Sequence, residues 1–169
     1  MKLLGLVSVL SVTLMLPNAF AKEGGKFGIG AFGGLHRIKA VTAQSHITPG
    51  GRLRVMPHQN FDIFADFSYY LKKNNLKILQ PKLGANLVFP AGKNVLLNLG
   101  GHGVFNMFST VGISQKKLGF GGQVGGHIFF SPKVSLFLEG HFEYWLKPSN
   151  ITTKAFTVFG GIAGLMLHF

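Results

Sequence analysis

Apolar and polar residues alternate with a period of two along most of this chain. The clearest segment is 61–71 (FDIFADFSYYL), in which apolar side chains occupy every odd position. No helical period fits this segment, because a helix face repeats every 3.6 residues. Seven more segments alternate in the same way and are separated by turn or loop signals, at 26–38, 51–56, 79–89, 95–108, 118–130, 134–146 and the stretch that ends at Phe169. The pattern predicts eight β-strands.

The connectors between these segments alternate in length, as a meander with two distinct ends requires. Three are tight turns rich in Pro, Gly and Asn, at 57–60, 90–94 and 131–133. The others are mostly longer and more polar, at 39–50, 72–75, 109–116 and 147–154. Strands of about ten residues with short turns at one end and longer loops at the other are typical of a small membrane barrel. We expect the turns to be periplasmic and the loops extracellular.

Charge content indicates which face of the strands lies inside. A soluble, lipocalin-like barrel has the same alternation, but its exterior carries many Lys and Glu residues for solubility. Here only 13% of the residues are charged, and the more polar face consists mainly of glycines and neutral side chains with a few charges. We expect that face to line the lumen, where eight strands leave room for little more than side chains. The predicted fold is all-β, an eight-stranded antiparallel up-and-down transmembrane β-barrel.

The charged residues of the polar face are expected to form a network inside the lumen. Hairpin geometry places Asp66 opposite Arg52 or Arg54 on one neighbouring strand and close to Lys82 on the other, whereas Asp62 is expected near a turn and water. A proton path, a gate or a catalytic site is one interpretation. A plug of salt bridges is favoured, because buried charges must be paired. The predicted lumen charge network is Arg52, Arg54, Asp66, Lys82, Glu139 and Glu143.

The first residues predict export from the cytoplasm. Lys2 precedes an apolar stretch at 3–16, and Ala19-Phe20-Ala21 forms a small-x-small cleavage site, so residues 1–21 are a predicted signal peptide. The mature domain is then 22–169. The chain has no cysteine, so its stability is expected to come from a closed barrel rather than from disulfides.

The last strand, which ends on Phe169 with nothing after it, resembles the C-terminal strand of bacterial outer-membrane β-barrels. With the signal peptide and the repeated strand pattern, the whole mature chain resembles the small OmpA-like and OmpX-like surface-protein superfamily. The resemblance implies a location in the bacterial outer membrane and recognition of Phe169 by the barrel-assembly machinery. It implies no particular activity.

Catalytic and metal sites find little support in the sequence. The known enzymes of this size and architecture are of the lipid A deacylase and palmitoyltransferase type. Such enzymes need a His with a Ser and an acid near the outer rim. His141 and Glu143 share a face, but no Ser lies at a matching depth; Ser135 is at a turn and Ser149 in a loop. The histidines are scattered. We therefore expect no catalytic residues, no metal and no cofactor.

The excess of 17 Lys and Arg over five acids is expected to lie at the loops rather than to bind nucleic acid, which an exported barrel does not meet. Such a rim could contact the phosphates of lipopolysaccharide, or simply keep the loops solvated. We expect a monomeric surface-interaction barrel; a narrow channel for small solutes and a lipid A-modifying enzyme are the alternatives. The predicted basic rim is Lys39, Lys72, Lys73, Lys77, Lys116, Lys117, Lys147 and Lys154.

Overall fold

The structure, a computed structural model, describes residues 26–39, 43–73, 76–110, 113–146 and 155–169. These residues form a closed barrel in which each strand is antiparallel to the next and β8 pairs with β1. The predicted all-β, eight-stranded up-and-down barrel is confirmed. The strands are β1 (Phe27–Lys39), β2 (Ala43–His58), β3 (Phe61–Lys73), β4 (Leu76–Pro90), β5 (Val95–Thr110), β6 (Ile113–Ser131), β7 (Val134–Trp145) and β8 (Phe156–His168).

The described residues contain no helix that is long and apolar enough to cross a membrane. The barrel has two different ends. The turns after β2, β4 and β6 define the turn end, together with the first residues of β1 and the last of β8. The connections after β1, β3, β5 and β7 define the loop end.

The two edges of the sheet, β1 and β8, pair from Gly28 with His168 at the turn end to Lys39 with Thr157 at the loop end. Phe169 N–H donates to the Phe27 carbonyl at 2.8 Å, and Phe27 N–H donates to the Phe169 carbonyl at 3.3 Å. The two aromatic rings lie side by side, 6.4 Å apart between centroids. Closure leaves no sheet edge with unpaired backbone groups, which is the condition for strands to survive in a bilayer.

The apolar face of every strand points outward and the polar face points inward, as the alternation predicts. Leu83, Val124 and Phe130 on the outer wall are each more than 60% exposed. Apolar side chains are costly to leave in water, so this wall suits lipid. The interior, by contrast, contains many buried polar side chains, among them His36, Thr48, Asn86, Asn98, Asn106, Gln80 and Gln123.

Glycines on the inner face make room for large side chains, as the sequence predicts. A Cβ at Gly84 would lie 2.6 Å from Phe64 Cε1, and a Cβ at Gly119 would lie 2.8 Å from Trp145 Cδ1. No real Cβ approaches so closely, so each aromatic ring occupies space that only a glycine on the neighbouring strand leaves free.

Several strands are longer than predicted, and β2 and β6 differ most. The segment 39–50 was expected to be a loop, but β2 begins at Ala43; likewise β6 begins at Ile113, within the expected loop 109–116. The reason is that several outward positions of these extensions carry polar residues or proline, such as Ser45, Pro49 and Lys116, so the segments lack the apolar signal of the lipid-facing part. Backbone pairing continues regardless, from Lys39 with Ala43 down to Phe27 with Val55.

Candidate functional site: the closed lumen and the basic rim

Apolar side chains pack across the lumen near both of its ends. The loop-end cluster draws residues from six strands: Ile38, Tyr70, Ile78, Val104, Trp145 and Val158, with Phe108 and Phe156 packed against it. The turn-end cluster consists of Val88, Leu96 and Phe129, with Met56 against it. A third cluster, of Phe32, Phe137, Ile162 and Met166, packs along one side of the interior. The acidic side chains of the lumen therefore lie between two apolar layers.

Arg52 occupies the centre of the charged interior. Its Nε and Nη2 donate to the two oxygens of Asp66 at 2.6 and 2.8 Å, and its Nη1 donates to Glu139 Oε1 at 2.7 Å. The guanidinium lies between two rings, 4.7 Å from the Phe64 centroid and 4.9 Å from that of Phe137. One cation thus neutralises two buried carboxylates from opposite walls of the barrel.

Asp62 is also a buried carboxylate paired with an arginine. This corrects the expectation that it lies near water. Its side chain is fully buried, and its Oδ2 accepts from Arg54 Nε at 2.8 Å and Nη2 at 2.6 Å. Its other oxygen accepts from Asn86 Nδ2 at 2.8 Å. The turn-end cluster covers this level of the lumen, so proximity to the turn in sequence does not give Asp62 access to solvent.

Lys82 forms its ion pair across the lumen rather than along the ladder. Asp66 is its partner in the β3–β4 register, as predicted, but Lys82 Nζ lies 2.8 Å from Glu143 Oε1 on β7. Both oxygens of Asp66 are already held by Nε and Nη2 of Arg52, so the long lysine side chain extends to Glu143. The second Glu143 oxygen accepts from Gln80 at 2.9 Å and from Trp145 Nε1 at 2.8 Å.

Three histidines surround this pair below the loop-end cluster. His36 contacts both the Thr48 hydroxyl and His141 through its two ring nitrogens. His102 Nε2 lies 3.4 Å from Glu143 Oε1. These side chains connect β1, β2, β5 and β7 inside the barrel, although neither ring nitrogen of His102 has a hydrogen-bond partner among the described residues.

A second polar group, at the turn end, is absent from the sequence-based prediction. The Ser135 hydroxyl lies 2.8 Å from His168 Nε2 and 3.3 Å from His127 Nδ1. The three residues come from β7, β8 and β6, and only the barrel register brings them together. No group of three or more His, Cys, Asp or Glu within the described ranges is arranged to hold a metal ion.

The predicted basic rim is only partly built as expected. Lys39, Lys77 and Lys116 are exposed at the loop end, and Arg37 is exposed beside Lys39 on β1. Lys72 and Lys73 end β3. Lys147 and Lys154 lie outside the described residues.

Lys117 is a correction to the predicted rim. It points into the lumen and is only 5% exposed, with Nζ 3.8 Å above the centroid of Phe156 and 5.6 Å from that of Phe108. Lys116 and Lys117 are adjacent in a strand, so their side chains leave opposite faces. Once β6 extends to Ile113, one of the two lysines has to point inward.

Charge is separated between the two faces of the barrel. Acidic side chains of the described residues lie only inside, whereas basic side chains lie both inside and outside. All four acidic side chains of the described residues are buried in the lumen, namely Asp62, Asp66, Glu139 and Glu143. Four inward cations balance them: Arg52, Arg54, Lys82 and Lys117. The exposed charged side chains of the described residues are consequently all basic.

These features define a transmembrane β-barrel with an apolar outer wall, a closed polar interior and cations at its rims. The fold is that of small outer-membrane β-barrels of known structure, as the sequence predicts. No family model matches the sequence, and no curated protein matches it either.

Solved structures show where the fold recurs. Neisserial surface protein A superposes with a TM-score of 0.76 at 19% identity, covering 86% of this chain and 98% of that one. OprG from Pseudomonas aeruginosa gives 0.57 at 12% identity, covering 87% and 98%. Ail, the attachment invasion locus protein of Yersinia pestis, gives 0.56 at 16% identity, covering 86% and 99%. At these identities the likeness concerns the fold alone.

Proposed function

We propose that this protein is a non-enzymatic outer-membrane surface barrel whose loop-end cations bind the phosphates of lipopolysaccharide or another anionic surface. The observation that carries the proposal is the charge separation. Every acidic side chain of the described residues is used inside the barrel, which leaves Arg37, Lys39, Lys77 and Lys116 exposed at the loop end without a competing acidic side chain on the outer wall.

The position of these cations suits an anionic lipid surface. An outward lysine above an apolar wall keeps its stem along hydrocarbon and its ammonium at headgroup height. Each such cation contributes about 1 kcal/mol to binding at an anionic membrane. We place the loop end outside the cell, with the signal peptide removed and with Phe169 at the turn end available to the assembly machinery.

Two of the structural neighbours are consistent with a surface role. One is described as a surface protein and another as an attachment and invasion protein. Ail from Yersinia pestis has also been solved with the heparin analogue sucrose octasulfate, a polyanion, at a TM-score of 0.57. By analogy, we propose that the present barrel also binds a sulfated or phosphorylated partner.

A matched pair of triple variants tests the proposal. Lys39→Gln/Lys77→Gln/Lys116→Gln removes three exposed cations at the loop end, and Lys26→Gln/Lys93→Gln/Lys133→Gln removes three at the turn end. Binding of detergent-purified protein to immobilised lipopolysaccharide should weaken by up to about 100-fold for the loop-end variant, the equivalent of about 3 kcal/mol.

The loss should shrink as salt is added, because screening weakens exposed charge interactions. The turn-end variant should lose much less. Equal losses for both variants would mean non-selective attraction to a basic protein, and no loss for either would refute the proposal.

The two alternative functions, a narrow channel and a lipid A-modifying enzyme, have less support than a surface barrel. A channel needs a continuous lumen, but the loop-end and turn-end clusters and the paired charges occupy it. A lipid A-modifying enzyme needs an activated nucleophile at the outer rim, whereas Ser135 lies at the turn end with two histidines and no carboxylate among its described contacts. Unchanged lipid A mass in cells that overproduce the protein is the expected result.

A further inference from the structure

Two of the exposed rim cations lie in one sector of the outer wall. Lys77 on β4 pairs with Ser109 of β5, and Lys116 on β6 pairs with Met107 of β5. Both lysines therefore flank β5, with Lys116 two residues nearer the membrane interior. Their Cα atoms are about 12 Å apart, since neighbouring strands are spaced about 4.8 Å and rise about 3.3 Å per residue.

The wall directly below these lysines is apolar. Leu79 pairs with Met107, and Phe105 pairs with Leu118, so the first side chains beneath the ammonium groups are large and hydrophobic. A lipid whose headgroup sits at the lysines meets a surface suited to its acyl chains.

Further down, the same sector contains a recess. Ala85, Gly101 and Gly122 are register partners on β4, β5 and β6, and Gly103 lies one outward position closer to the loop end. A Cβ added at Gly103 would find its nearest atom, the Gly119 carbonyl oxygen, 4.0 Å away. Leu83 and Phe120, the register partners of Gly103, are 64% and 57% exposed and form the sides of the recess.

The recess lies at a depth that an acyl chain reaches. Gly103 and Gly101 are four and six residues below Met107, or about 13 and 20 Å along the strand. One leaflet of hydrocarbon is about 15 Å thick, so the tilted strands place this recess towards the middle of the bilayer.

We propose that the β4–β5–β6 sector is a binding site for one lipid A unit, with phosphates at Lys77 and Lys116 and an acyl chain in the recess at Gly101 and Gly103. This inference rests on the proposed function and narrows the rim to one ligand and one wall. Lipid A fits because it carries two phosphates at the two ends of a single disaccharide above several acyl chains. A glycerophospholipid offers one phosphate and leaves one of the two lysines unused.

The charge component is tested against a matched pair on the opposite wall. Lys77→Gln/Lys116→Gln and Arg37→Gln/Lys39→Gln each remove two exposed cations from the loop end, and β1 lies across the barrel from β5. Purified lipid A in detergent micelles should bind the first variant up to about 30-fold more weakly than the unchanged protein. The β1 variant should lose several-fold less, because Arg37 and Lys39 face the wider anionic surface on the opposite wall and not this single lipid A unit.

The recess is tested by filling it. Gly103→Leu places a side chain in the open space on β5, and Gly33→Leu is its control on β1, where an added Cβ meets nothing within 4 Å. Gly103→Leu should reduce retention of acylated lipid A several-fold and leave binding of the deacylated, phosphorylated saccharide unchanged. Gly33→Leu should alter neither. Altered gel mobility after boiling verifies that each variant is a folded barrel.

The outcomes separate this inference from the proposed function. Equal losses of binding from the β1 and β4/β6 charge variants would support binding by the basic rim as a whole and overturn the single site at β4–β5–β6. Unchanged binding in both charge variants would overturn the inference and the proposed function together. Equal affinity for lipid A and for a single-phosphate glycerophospholipid, or no effect of Gly103→Leu, would overturn the assignment of this ligand.

Discussion

Asp62→Asn should destabilise the barrel more than Asp66→Asn, the reverse of the order that the sequence suggests. Both substitutions keep the size of the side chain and remove one buried negative charge. The difference lies in what each arginine keeps. Arg52 without Asp66 still donates to Glu139 at 2.7 Å. Arg54 without Asp62 has no other carboxylate among its described contacts, and its Nη1 already lacks a hydrogen-bond partner.

The magnitudes follow from these contacts. A buried cation left without a partner costs about 3–5 kcal/mol, which applies to Asp62→Asn. In Asp66→Asn the arginine remains paired, so the loss is closer to that of hydrogen bonds to a charged group, about 1.5–3 kcal/mol. We therefore expect the two variants to differ by about 1–2 kcal/mol.

Reversible urea unfolding in lipid vesicles measures the difference. Trp145 is the single tryptophan of the chain and is fully buried in the loop-end cluster, so its fluorescence reports opening of the barrel. The midpoint of Asp62→Asn should be lower than that of Asp66→Asn. A lower midpoint for Asp66→Asn, or equal midpoints, would show that the lumen pairs described here do not determine stability.

Three further predictions concern the interior and the rim. Gly84→Ala should cost about 1–3 kcal/mol by overpacking, because its Cβ would meet the Phe64 ring, whereas Gly33→Ala, which faces open space, should have no measurable effect; urea midpoints would compare them. Lys116→Gln should weaken lipopolysaccharide binding and Lys117→Gln should not, although Lys117→Gln should lower the melting temperature through loss of cation–π contacts worth about 0.5–2 kcal/mol; a reversed pattern would contradict their assignment to opposite faces. Planar-bilayer recordings should show no stable, porin-sized conductance, and steady large openings from pure protein would favour the channel alternative.

The strand number, the meander topology and the inward face could all be predicted because each follows from local alternation. Along 61–71 the side-chain period of two fixes which residues share a face, and the low charge content assigns that face to the interior. The ladder neighbours of Asp66 could be predicted too, since turn length sets hairpin register.

The sequence predicts that Glu139 and Glu143 reach cations across the lumen, but the individual partners there could not be assigned in the same way. Glu143 meets Lys82, and Ser135 meets His127 and His168, through barrel closure and side-chain length rather than through sequence spacing. The orientation of Lys117 was missed because a strand end with polar inward residues has the composition of a loop. Residues 113–117 (ISQKK) are polar on both faces after Ile113, so they carry no alternation that would mark a strand.

The central claim, a membrane-spanning barrel with its polar face inside, is tested most directly by spin labels placed one at a time along β3. The chain has no cysteine, so Ile63→Cys, Ala65→Cys and Phe67→Cys label the outer wall, while Phe64→Cys and Ser68→Cys label the interior. In lipid vesicles the outer labels should be accessible to oxygen dissolved in the bilayer, and the inner labels should be shielded from both oxygen and a water-soluble nickel chelate. Accessibility that does not alternate, or that alternates with the opposite phase, would contradict the account.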